Sequence, residues 1–422
     1  MAEDLINEVT PPTRRNKSLI SIIGVGGAGG NAVNYMHSVG IEVVTFMVCN
    51  TDSQALEMSP VEVKIQLGLD GLGAGNDPVR GRDAATTSLD DVRHQLESMG
   101  TQMMFIAAGM GGGTGTGASP VIAKLAHEMG ILTVAIVTLP FVVEGMTRYE
   151  QAMKGIEELR EWVDSLLILN NNNLVDLYGR MSLRQAFDKA NEVLANAAKG
   201  IAEIITVPFD EVNIDFADVR RVLENSGRSH MGVATATGDR RVEEAVDAAL
   251  KSPLLDNKHI SGAKNILLSI RSGSEARHTL TEVYQVVSCV QKYASHQNNR
   301  PTANVIWGSG SKPSLGDKLE VVIVATGFES AAAAGEDESV AVPLPAFGEG
   351  GKEKQSLGGE RERDHVIPSR RGSRYDDLSE MLLIPAYKRR DMFDTDTRIA
   401  ARRESSREAS SEVPPQNENS LF

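Results

Sequence analysis

Short apolar runs alternate with helical patterns from residue 18 to about residue 328. In the first half of this stretch, five runs predict β-strands at residues 19–24, 43–49, 103–108, 133–139 and 166–169. Strands separated by helical patterns are typical of a parallel sheet, in which each crossover is made by a helix. The pattern therefore predicts an α/β fold whose doubly wound, mainly parallel sheet forms a first domain over residues 18–181.

A long amphipathic helix is predicted next, from Leu183 to Ile205, with Ser182 as its N-cap. At 1.5 Å per residue it would span roughly 35 Å, which is enough to connect two domains. Further strands are predicted at residues 266–270, 304–307 and 319–326, and the last should be central because its apolar residues are continuous. We expect residues 182–206 to form the connecting helix and residues 207–329 to form a smaller α/β domain with a mixed sheet.

The two ends of the chain lack this periodicity. Residues 1–17 are polar and predict a flexible arm, and residues 330–380 are rich in alanine, glycine and mixed charge. Such a segment buries too little apolar surface to offset its chain entropy, which predicts a disordered linker. A short apolar and basic patch follows at residues 381–390, and residues 391–422 again have the composition of a disordered tail.

Composition narrows the class of protein. The net charge of −14 argues against nucleic acid as a partner, because a phosphate backbone requires a basic face. Cys49 and Cys289 are far apart within apolar runs, which favours free buried thiols in a reducing compartment. No apolar stretch reaches the roughly 20 residues of a membrane span, and the N-terminus lacks the apolar core of a signal peptide. A cytoplasmic protein without a transmembrane anchor is expected.

A glycine-rich loop follows the first predicted strand and opens a helix. Backbone N–H groups can approach phosphate oxygens where side chains are absent, and the helix adds its positive N-terminal end. Gly24, Gly26 and Gly29 also satisfy the dinucleotide fingerprint, with Asp52 as the ribose acid. From this loop alone, an NAD-dependent dehydrogenase and a tight turn that only packs a helix remain alternatives.

A second glycine-rich loop, residues 109–117, also follows a strand and opens a helix. Two such cradles on one sheet suit a triphosphate better than a single pyrophosphate, and Thr114 and Thr116 can add hydroxyl donors. Neither loop is followed by Gly-Lys-Ser/Thr, so this is not a Walker-type P-loop. We do not expect packing alone to explain so many glycines.

Three motifs together resemble the tubulin/FtsZ GTPase family: Gly111-Gly112-Gly113-Thr114-Gly115-Thr116-Gly117, the loop from Gly24 to Asn31, and Asn213-Ile214-Asp215-Phe216-Ala217-Asp218-Val219. The likeness extends from about residue 19 to residue 328. It implies a protein that binds GTP and GDP with Mg²⁺ and hydrolyses GTP. It also implies head-to-tail polymerisation with copies of itself into filaments of the bacterial cell-division ring, in the cytoplasm at mid-cell beneath the membrane.

The resemblance also implies roles for particular residues around the nucleotide. The α- and β-phosphates would lie against the first loop, the β- and γ-phosphates against the second, and the γ-phosphate and Mg²⁺ near two further loops. In that order the residues are Gly26, Gly27, Ala28, Gly29, Gly30 and Asn31; Gly111, Gly112, Gly113, Thr114, Gly115, Thr116 and Gly117; Asn50, Thr51 and Asp52; and residues 71–75 with Gly75. Glu144 and Arg148 would lie near the ribose and phosphates, and Asn171 is a candidate nucleotide contact.

Phe187 and Asn191 match the family's base-contacting residues. They are four positions apart and therefore share one face of the long helix. A phenyl ring can stack on a purine, and an amide oxygen can accept hydrogen bonds from guanine. The alternative for Phe187 is a purely structural place in the core, because it also fits the apolar stripe.

Asp215 and Asp218 are candidates for the group that activates water, with Asn213 beside them. The two carboxylates are three positions apart at the start of a predicted helix, and N-capping by Asp215 is an equal alternative from the residues alone. The resemblance implies catalysis, because in this family the loop enters the nucleotide site of the next subunit.

The segment Ile384-Pro385-Ala386-Tyr387-Lys388-Arg389-Arg390 resembles the C-terminal peptide through which the family binds membrane tethers and regulatory division proteins. Here 32 further residues follow it. The run from Asn170 to Asn173 replaces the usual proline-containing turn, and Asp70 stands where a basic residue is common. These departures leave the contacts of Asn171 and the sensing of the γ-phosphate open.

Two other functions remain as alternatives. A dehydrogenase would need a hydride-transfer site, for which the sequence offers no candidate. A non-hydrolysing structural paralogue of the tubulin family should lack one or both acids at positions 215 and 218, and both are present.

Overall fold

The computed structural model describes residues 18–41, 43–251, 260–274, 276–295 and 303–328. All of them belong to the first of two units of the chain, Met1–Pro345, and the second, Ala346–Phe422, lies outside the described residues. The strands are β1 (Ile20–Val25), β2 (Val44–Asn50), β3 (Val63–Gln66), β4 (Met103–Gly109), β5 (Leu132–Leu139), β6 (Ser165–Asn170), β7 (Gly227–Ala236), β8 (Asn265–Ser272), β9 (Asn304–Ser311) and β10 (Leu319–Thr326).

Eleven α-helices alternate with these strands in the described part of the chain. They are α1 (Gly26–Val39), α2 (Ser53–Glu57), α3 (Pro78–Thr87), α4 (Leu89–Met99), α5 (Gly113–Glu128), α6 (Met146–Arg160), α7 (Asn172–Tyr178), α8 (Leu183–Thr206), α9 (Phe216–Leu223), α10 (Arg241–Leu250) and α11 (Leu280–Ala294). Short 3-10 helices span Val142–Glu144 and Pro313–Leu315. The predicted α/β fold is confirmed.

The strands form one sheet in the order β3-β2-β1-β4-β5-β6-β7-β10-β8-β9. Pairing is parallel from β3 to β7 and between β8 and β9, whereas β10 runs antiparallel to β7 and β8. The central position predicted for residues 319–326 is therefore confirmed. The phosphate loops both lie at the carboxyl ends of parallel strands, β1 and β4, which are neighbours in the sheet.

Strands β3 and β7 were not predicted. Strand β3 has only four residues. Strand β7 has the sequence GRSHMGVATA, in which small and polar residues dilute the apolar signal. Its place between two other strands, rather than its own propensity, makes this segment extended.

Helix α8 begins at Leu183, as predicted. Ser182 is its N-cap, since the Ser182 hydroxyl accepts a hydrogen bond from the Gln185 N–H. Its apolar face belongs to one core cluster that also contains Ile22 of β1 and Val322 of β10. Strands β6 and β7 join the two halves of the sheet through only two paired positions, Ser165 with Gly227 and Leu166 with Arg228. The halves thus share one sheet and one core cluster, while each half also has a core cluster of its own. Their division into domains at residues 181 and 207 stays a prediction.

Several other expectations have a plain outcome. Cys49 and Cys289 are free, but only Cys49 is buried, and burial raises the pKa of its thiol to about 12. In the ranges given above, no helix is long and apolar enough to cross a membrane. The arm at 1–17, the linker at 330–380, the peptide at 381–390 and the tail at 391–422 lie outside the described residues.

Candidate nucleotide site and acidic loop

The first glycine loop is the turn between β1 and α1. Gly26 has φ of +72°, a left-handed conformation that favours glycine. A Cβ atom at Gly24 would lie 2.5 Å from the carbonyl oxygen of Gly29, and one at Gly29 would collide with Ala107 of β4. Packing therefore explains these two glycines. At Gly27 and Gly30, by contrast, a Cβ would meet no atom within 4 Å, so their small size leaves an open surface at the start of the helix.

The second glycine loop is the turn between β4 and α5, where Gly111 has φ of +95°. Cβ atoms at Gly115 and Gly117 would collide with the carbonyl oxygens of Gly109 and Pro78, and one at Gly113 would lie 2.7 Å from Ala74 Cβ. Packing thus explains more of this loop than the sequence suggested. Gly112 is the open position, with its nearest neighbour, Asn76 Oδ1, 4.0 Å from a Cβ placed there.

The two loops meet. A Cβ atom at Gly26 would lie 3.0 Å from the backbone nitrogen of Gly115, and one at Gly109 would lie 2.5 Å from Ala28 Cβ. Neither α1 nor α5 has a side-chain N-cap, so their first N–H groups are not consumed by a capping oxygen. Two uncapped helix N-termini that converge on open glycines favour the binding of an anion. We name residues 26–31 and 111–117 together the phosphate cradle.

The two threonines of the second loop have different places. Thr114 is half-buried, and its hydroxyl lies 2.7 Å from that of Thr51. Thr116 is buried, and its hydroxyl oxygen accepts a hydrogen bond of 2.8 Å from the Gly111 N–H. Thr116 therefore fixes the shape of the loop through an accepted hydrogen bond, and its expected role as a donor to phosphate stays a prediction.

Two further loops border the cradle on the side of Thr51. Asn50 and Thr51 are buried at the end of β2, and Asp52 Oδ1 accepts hydrogen bonds from the Gln54 and Ala55 N–H groups as the N-cap of α2. The loop at 71–75 is fastened here, because the Gly73 N–H donates to the Thr51 carbonyl over 3.0 Å. Gly75 is exposed at its end. The structure thus brings these predicted loops together around Thr51 and Thr114.

A cavity of about 590 Å³ adjoins the cradle. Its lining includes Ala28, Gly29, Asn31, Ala32, Tyr35, Ala108, Gly109, Thr138, Asn171, Arg184, Phe187, Asp188, Ala190, Asn191 and Leu194. Phosphate-loop residues and one face of α8 therefore line the same space, which has the size of a small-molecule site.

Phe187 is 41% exposed, so the purely structural core interpretation is wrong. Its ring packs edge to face against Phe141, with centroids 5.8 Å apart and an interplanar angle of 76°. One face of the helix thus presents an aromatic ring and the half-buried Asn191 to the cavity. Sequence reasoning missed Arg184 and Asp188, although positions 184, 187, 188 and 191 have the spacing of one helix face.

Glu144 and Arg148 form an ion pair, and Glu144 Oε1 accepts a hydrogen bond of 2.9 Å from the Phe141 N–H. A Cβ atom at Gly111 would lie 2.9 Å from the Arg148 carbonyl oxygen. The pair therefore borders the second glycine loop and supports Phe141, but it does not line the cavity.

The acidic loop, residues 207–218, extends from the end of α8 through the first residues of α9. Asp215 Oδ1 accepts a hydrogen bond of 2.9 Å from the Asp218 N–H, and Asp218 Oδ2 accepts one of 3.3 Å from the Asp215 N–H. This reciprocal pair is a capping box, so the capping interpretation is confirmed. Asn213 Oδ1 accepts from the Phe209 N–H over 3.2 Å, which shapes the loop itself.

The acids and the cradle lie at different ends of α8. The cavity is lined by the first half of α8, and the acidic loop follows its last residue, Thr206. A helix of 24 residues extends roughly 36 Å. Asp215 and Asp218 are absent from the cavity lining, so the chain does not bring its own carboxylates to its own nucleotide cavity.

Two converging helix N-termini beside a cavity with an aromatic ring and an amide define a mononucleotide-binding α/β protein. Comparison with family models agrees: residues 19–179 match the Tubulin/FtsZ family GTPase domain, and residues 227–329 match the FtsZ family C-terminal domain. The chain belongs to the tubulin/FtsZ family, and it is a GTP-binding, GTP-hydrolysing cell-division protein. The dehydrogenase alternative is therefore wrong.

Curated relatives and solved structures support this membership. The chain is 45% identical over 327 residues to the cell division protein FtsZ of Coxiella burnetii, covering 76% of this chain and 82% of the relative. It is 43% identical to that of Porphyromonas gingivalis, covering 74% and 67%. An empty FtsZ dimer from M. jannaschii matches with a TM-score of 0.66 and 39% identity, over 74% and 88% of the two chains. CetZ2 of Haloferax volcanii shares the fold, with a TM-score of 0.61 and 21% identity over 74% and 93%.

Proposed function

We propose that this protein assembles head to tail and that each GTP is hydrolysed at a site shared by two subunits. One subunit supplies the phosphate cradle and the base cavity, and its neighbour supplies the acidic loop. The observation that carries this proposal is the separation of the two halves by the length of α8 within one chain. A contact between different faces of identical subunits is heterologous and produces open filaments.

The bound nucleotide would lie along the cradle with its base in the cavity. Its phosphates would accept hydrogen bonds from the uncapped N–H groups of α1 and α5, next to the open surfaces of Gly27, Gly30 and Gly112. Phe187 would stack on the guanine and Asn191 would accept from its N–H groups. Thr51, Asp52 and Gly75 border the cradle where the γ-phosphate would end.

The neighbour's carboxylates would position and polarise a water molecule. Each of Asp215 and Asp218 uses one oxygen in the capping box, and Asp215 is exposed. Phosphoryl transfer depends mainly on positioning and on neutralising charge, so a weakly basic but well-oriented carboxylate suffices.

The donor set around the cradle fits Mg²⁺ that is bound by the phosphates and by water. Among the described residues, no group of three His, Cys, Asp or Glu side chains could hold a metal ion. Asp52 already caps α2, and the hydroxyls of Thr51 and Thr114 offer neutral oxygens at the same place. When bound, Mg²⁺ would neutralise charge on the phosphates.

Self-association has support from the relatives, since one matched structure at 39% identity is described as an FtsZ dimer. We propose that the resulting filaments form the division ring in the cytoplasm, beneath the membrane at mid-cell. Membrane tethers and regulatory division proteins would bind the peptide from Ile384 to Arg390, which lies outside the described residues.

The test is to measure phosphate release and light scattering together while the protein concentration is varied. We expect the specific GTPase activity to rise steeply above an assembly threshold, and we expect GTP but not ATP to support it. Omission of Mg²⁺ should reduce phosphate release. A specific activity that stays constant through the assembly threshold would contradict the shared site.

A further inference from the structure

The acidic loop is held against the far edge of the sheet by close backbone contact with β9. Val212 and Ser309 exchange two backbone hydrogen bonds, each of 3.0 Å. A Cβ atom at Gly308 would lie 2.8 Å from Ile214 Cδ1, and one at Gly310 would lie 2.7 Å from Asp210 Oδ1. Both glycines are thus needed because the loop rests directly on the strand, immediately before Asp215.

Arg271, at the end of β8, joins this loop to the end of α8. Its side chain is buried, and Nη2 donates hydrogen bonds to the carbonyl oxygens of Glu203 and Val207 over 3.1 and 2.9 Å. The guanidinium also lies 4.3 Å from the centre of the Phe209 ring. A buried cation therefore satisfies the last carbonyls of the helix and packs on the first aromatic residue of the loop.

His278 joins the loop to β8 and β9 from the other side. It is buried, with Nδ1 2.7 Å from Ser272 Oγ and Nε2 2.5 Å from Ser309 Oγ. Nε2 also lies 3.0 Å from Glu211 Oε2, which accepts a 2.5 Å hydrogen bond from the Ser309 hydroxyl. The imidazole and the serine thus converge on one carboxylate of the acidic loop.

We infer that Arg271 and His278 are positioning residues for GTP hydrolysis, acting by holding the acidic loop in the orientation that presents Asp215 and Asp218 to the neighbouring subunit. This inference rests on the proposed shared site. Both residues belong to the second half of the chain and act on the loop that leaves α8, and neither lines the nucleotide cavity. They should therefore affect turnover without affecting nucleotide affinity.

The first experiment replaces Arg271 with methionine, which keeps an unbranched apolar stem but removes the guanidinium and its donors. The matched control is Lys312→Met, which removes a second cation beside the same glutamate, since Lys312 Nζ pairs with Glu203 Oε2 at 2.9 Å and Glu320 Oε1 at 3.2 Å. A small displacement of a catalytic group lowers turnover about ten- to a hundred-fold, and we expect that loss in kcat for Arg271→Met. The affinity for GTP should stay unchanged, and Lys312→Met should retain the wild-type kcat.

A mixing experiment separates a defect in the acidic loop from damage to the cradle. Arg271→Met is mixed in equal amounts with Asp215→Ala, so that each partner retains its cradle. If Arg271 acts through its own acidic loop, no interface in the mixture is complete and turnover stays low. Recovery of turnover would show that the Arg271→Met loop works and that its cradle is damaged, which would overturn the inference.

Ser309→Ala tests the His278 side of the junction and does not depend on whether Arg271→Met folds. It removes the hydroxyl that contacts His278 and Glu211 but keeps both backbone bonds to Val212. We expect reduced kcat with unchanged GTP affinity, whereas Ser21→Ala, which removes the buried 2.7 Å hydroxyl contact with Thr101, should keep its kcat. Wild-type kcat in both Arg271→Met and Ser309→Ala overturns this inference alone. A wild-type activity without an assembly threshold overturns the shared site.

Discussion

The phosphate cradle and the acidic loop differ in how the N–H groups at the start of their helices are used. The cradle is made of backbone N–H groups at two helices that have no side-chain caps, and its open positions are glycines. In the acidic loop, the side chains of Asp215 and Asp218 cap their own helix, and the backbone of Val212 is hydrogen-bonded to β9. A ligand is expected where capping groups are missing, whereas the acidic loop has satisfied its hydrogen bonds within the chain.

This difference shows why function is easier to read in one region than in the other. At the cradle, a Cβ at the open glycines would meet no close neighbour and the first N–H groups of α1 and α5 have no side-chain cap, which points to an anion. At the acidic loop, Asp215 and Asp218 already have a structural use as a capping box. We propose a catalytic use for them in addition, on the basis of the family membership and of their separation from the cavity along α8. A variant that retains the cap tests this proposal.

The largest expected effect comes from Asp215→Asn. Asparagine caps a helix about as well as aspartate, so the stability of α9 should stay close to that of the wild type. The charge that polarises water would be lost, and we expect GTP turnover above the assembly threshold to fall by about 10²- to 10⁴-fold. Turnover, nucleotide affinity and the unfolding midpoint should be measured together.

Asp215→Ala is the companion variant, because it removes the cap as well as the charge. Loss of an N-cap costs about 1 kcal/mol, so this variant should lose the same turnover and unfold at lower denaturant concentration. GTP binding should be spared in both. An Asp215→Asn protein with wild-type turnover would show that the carboxylate serves only as a cap.

Much of the fold was predictable because its strands are continuous apolar runs. Residues 319–326 were placed correctly as a central strand, with the observed bounds Leu319–Thr326. Strand β7 was not predicted because Gly227, Ser229 and Gly232 weaken its apolar pattern. Its extended conformation comes from pairing with β10. Periodicity detects residues that bury apolar area, but it does not detect those that are extended because neighbours require it.

The site was likewise predictable only where a local sequence pattern reports it. The glycines of the cradle are visible in the sequence, but their division into packing positions such as Gly117 and open positions such as Gly112 requires knowledge of what lies opposite. The hydroxyl of Thr116 accepts a hydrogen bond from Gly111, a contact that the sequence does not report, and donation from Thr116 to phosphate stays a prediction. The contacts of Arg271 and His278 join residues about 65 positions apart, a separation that no local pattern reports.

A pair of alanine substitutions sharpens the comparison within the cradle. A Cβ at Gly115 would collide with the Gly109 carbonyl, so Gly115→Ala should lower the free energy of unfolding by about 1–3 kcal/mol or more. Gly27→Ala meets no neighbouring atom, so it should fold normally and weaken GTP binding by about ten-fold through contact with the phosphates. Denaturant unfolding and nucleotide titration distinguish the two.

Two outcomes would contradict the division of the cradle glycines into packing positions and open positions. If Gly27→Ala bound GTP with wild-type affinity, the open surface at α1 would not be where phosphates lie. If Gly115→Ala were as stable as the wild type, the second loop would be able to shift away from β4, and its glycines would have to be explained by the ligand alone.

At the base cavity, where side chains rather than backbone make the contact, we expect effects on affinity no larger than that of Gly27→Ala and the smallest effects on stability. Stacking of an aromatic ring on a base contributes about 1–3 kcal/mol, so Phe187→Ala should weaken GTP and ATP binding alike, by about ten-fold. Asn191→Ala should reduce the preference for GTP over ATP, because it removes the acceptor for guanine and leaves the stacking surface. Since Phe187 is 41% exposed and Asn191 half-buried, neither change should greatly lower the unfolding midpoint. Competition binding with both nucleotides tests the assignment. If the Asn191→Ala protein kept the full preference for GTP, Asn191 would not recognise the base, and Arg184 or Asp188, which line the same cavity, would be the next candidates.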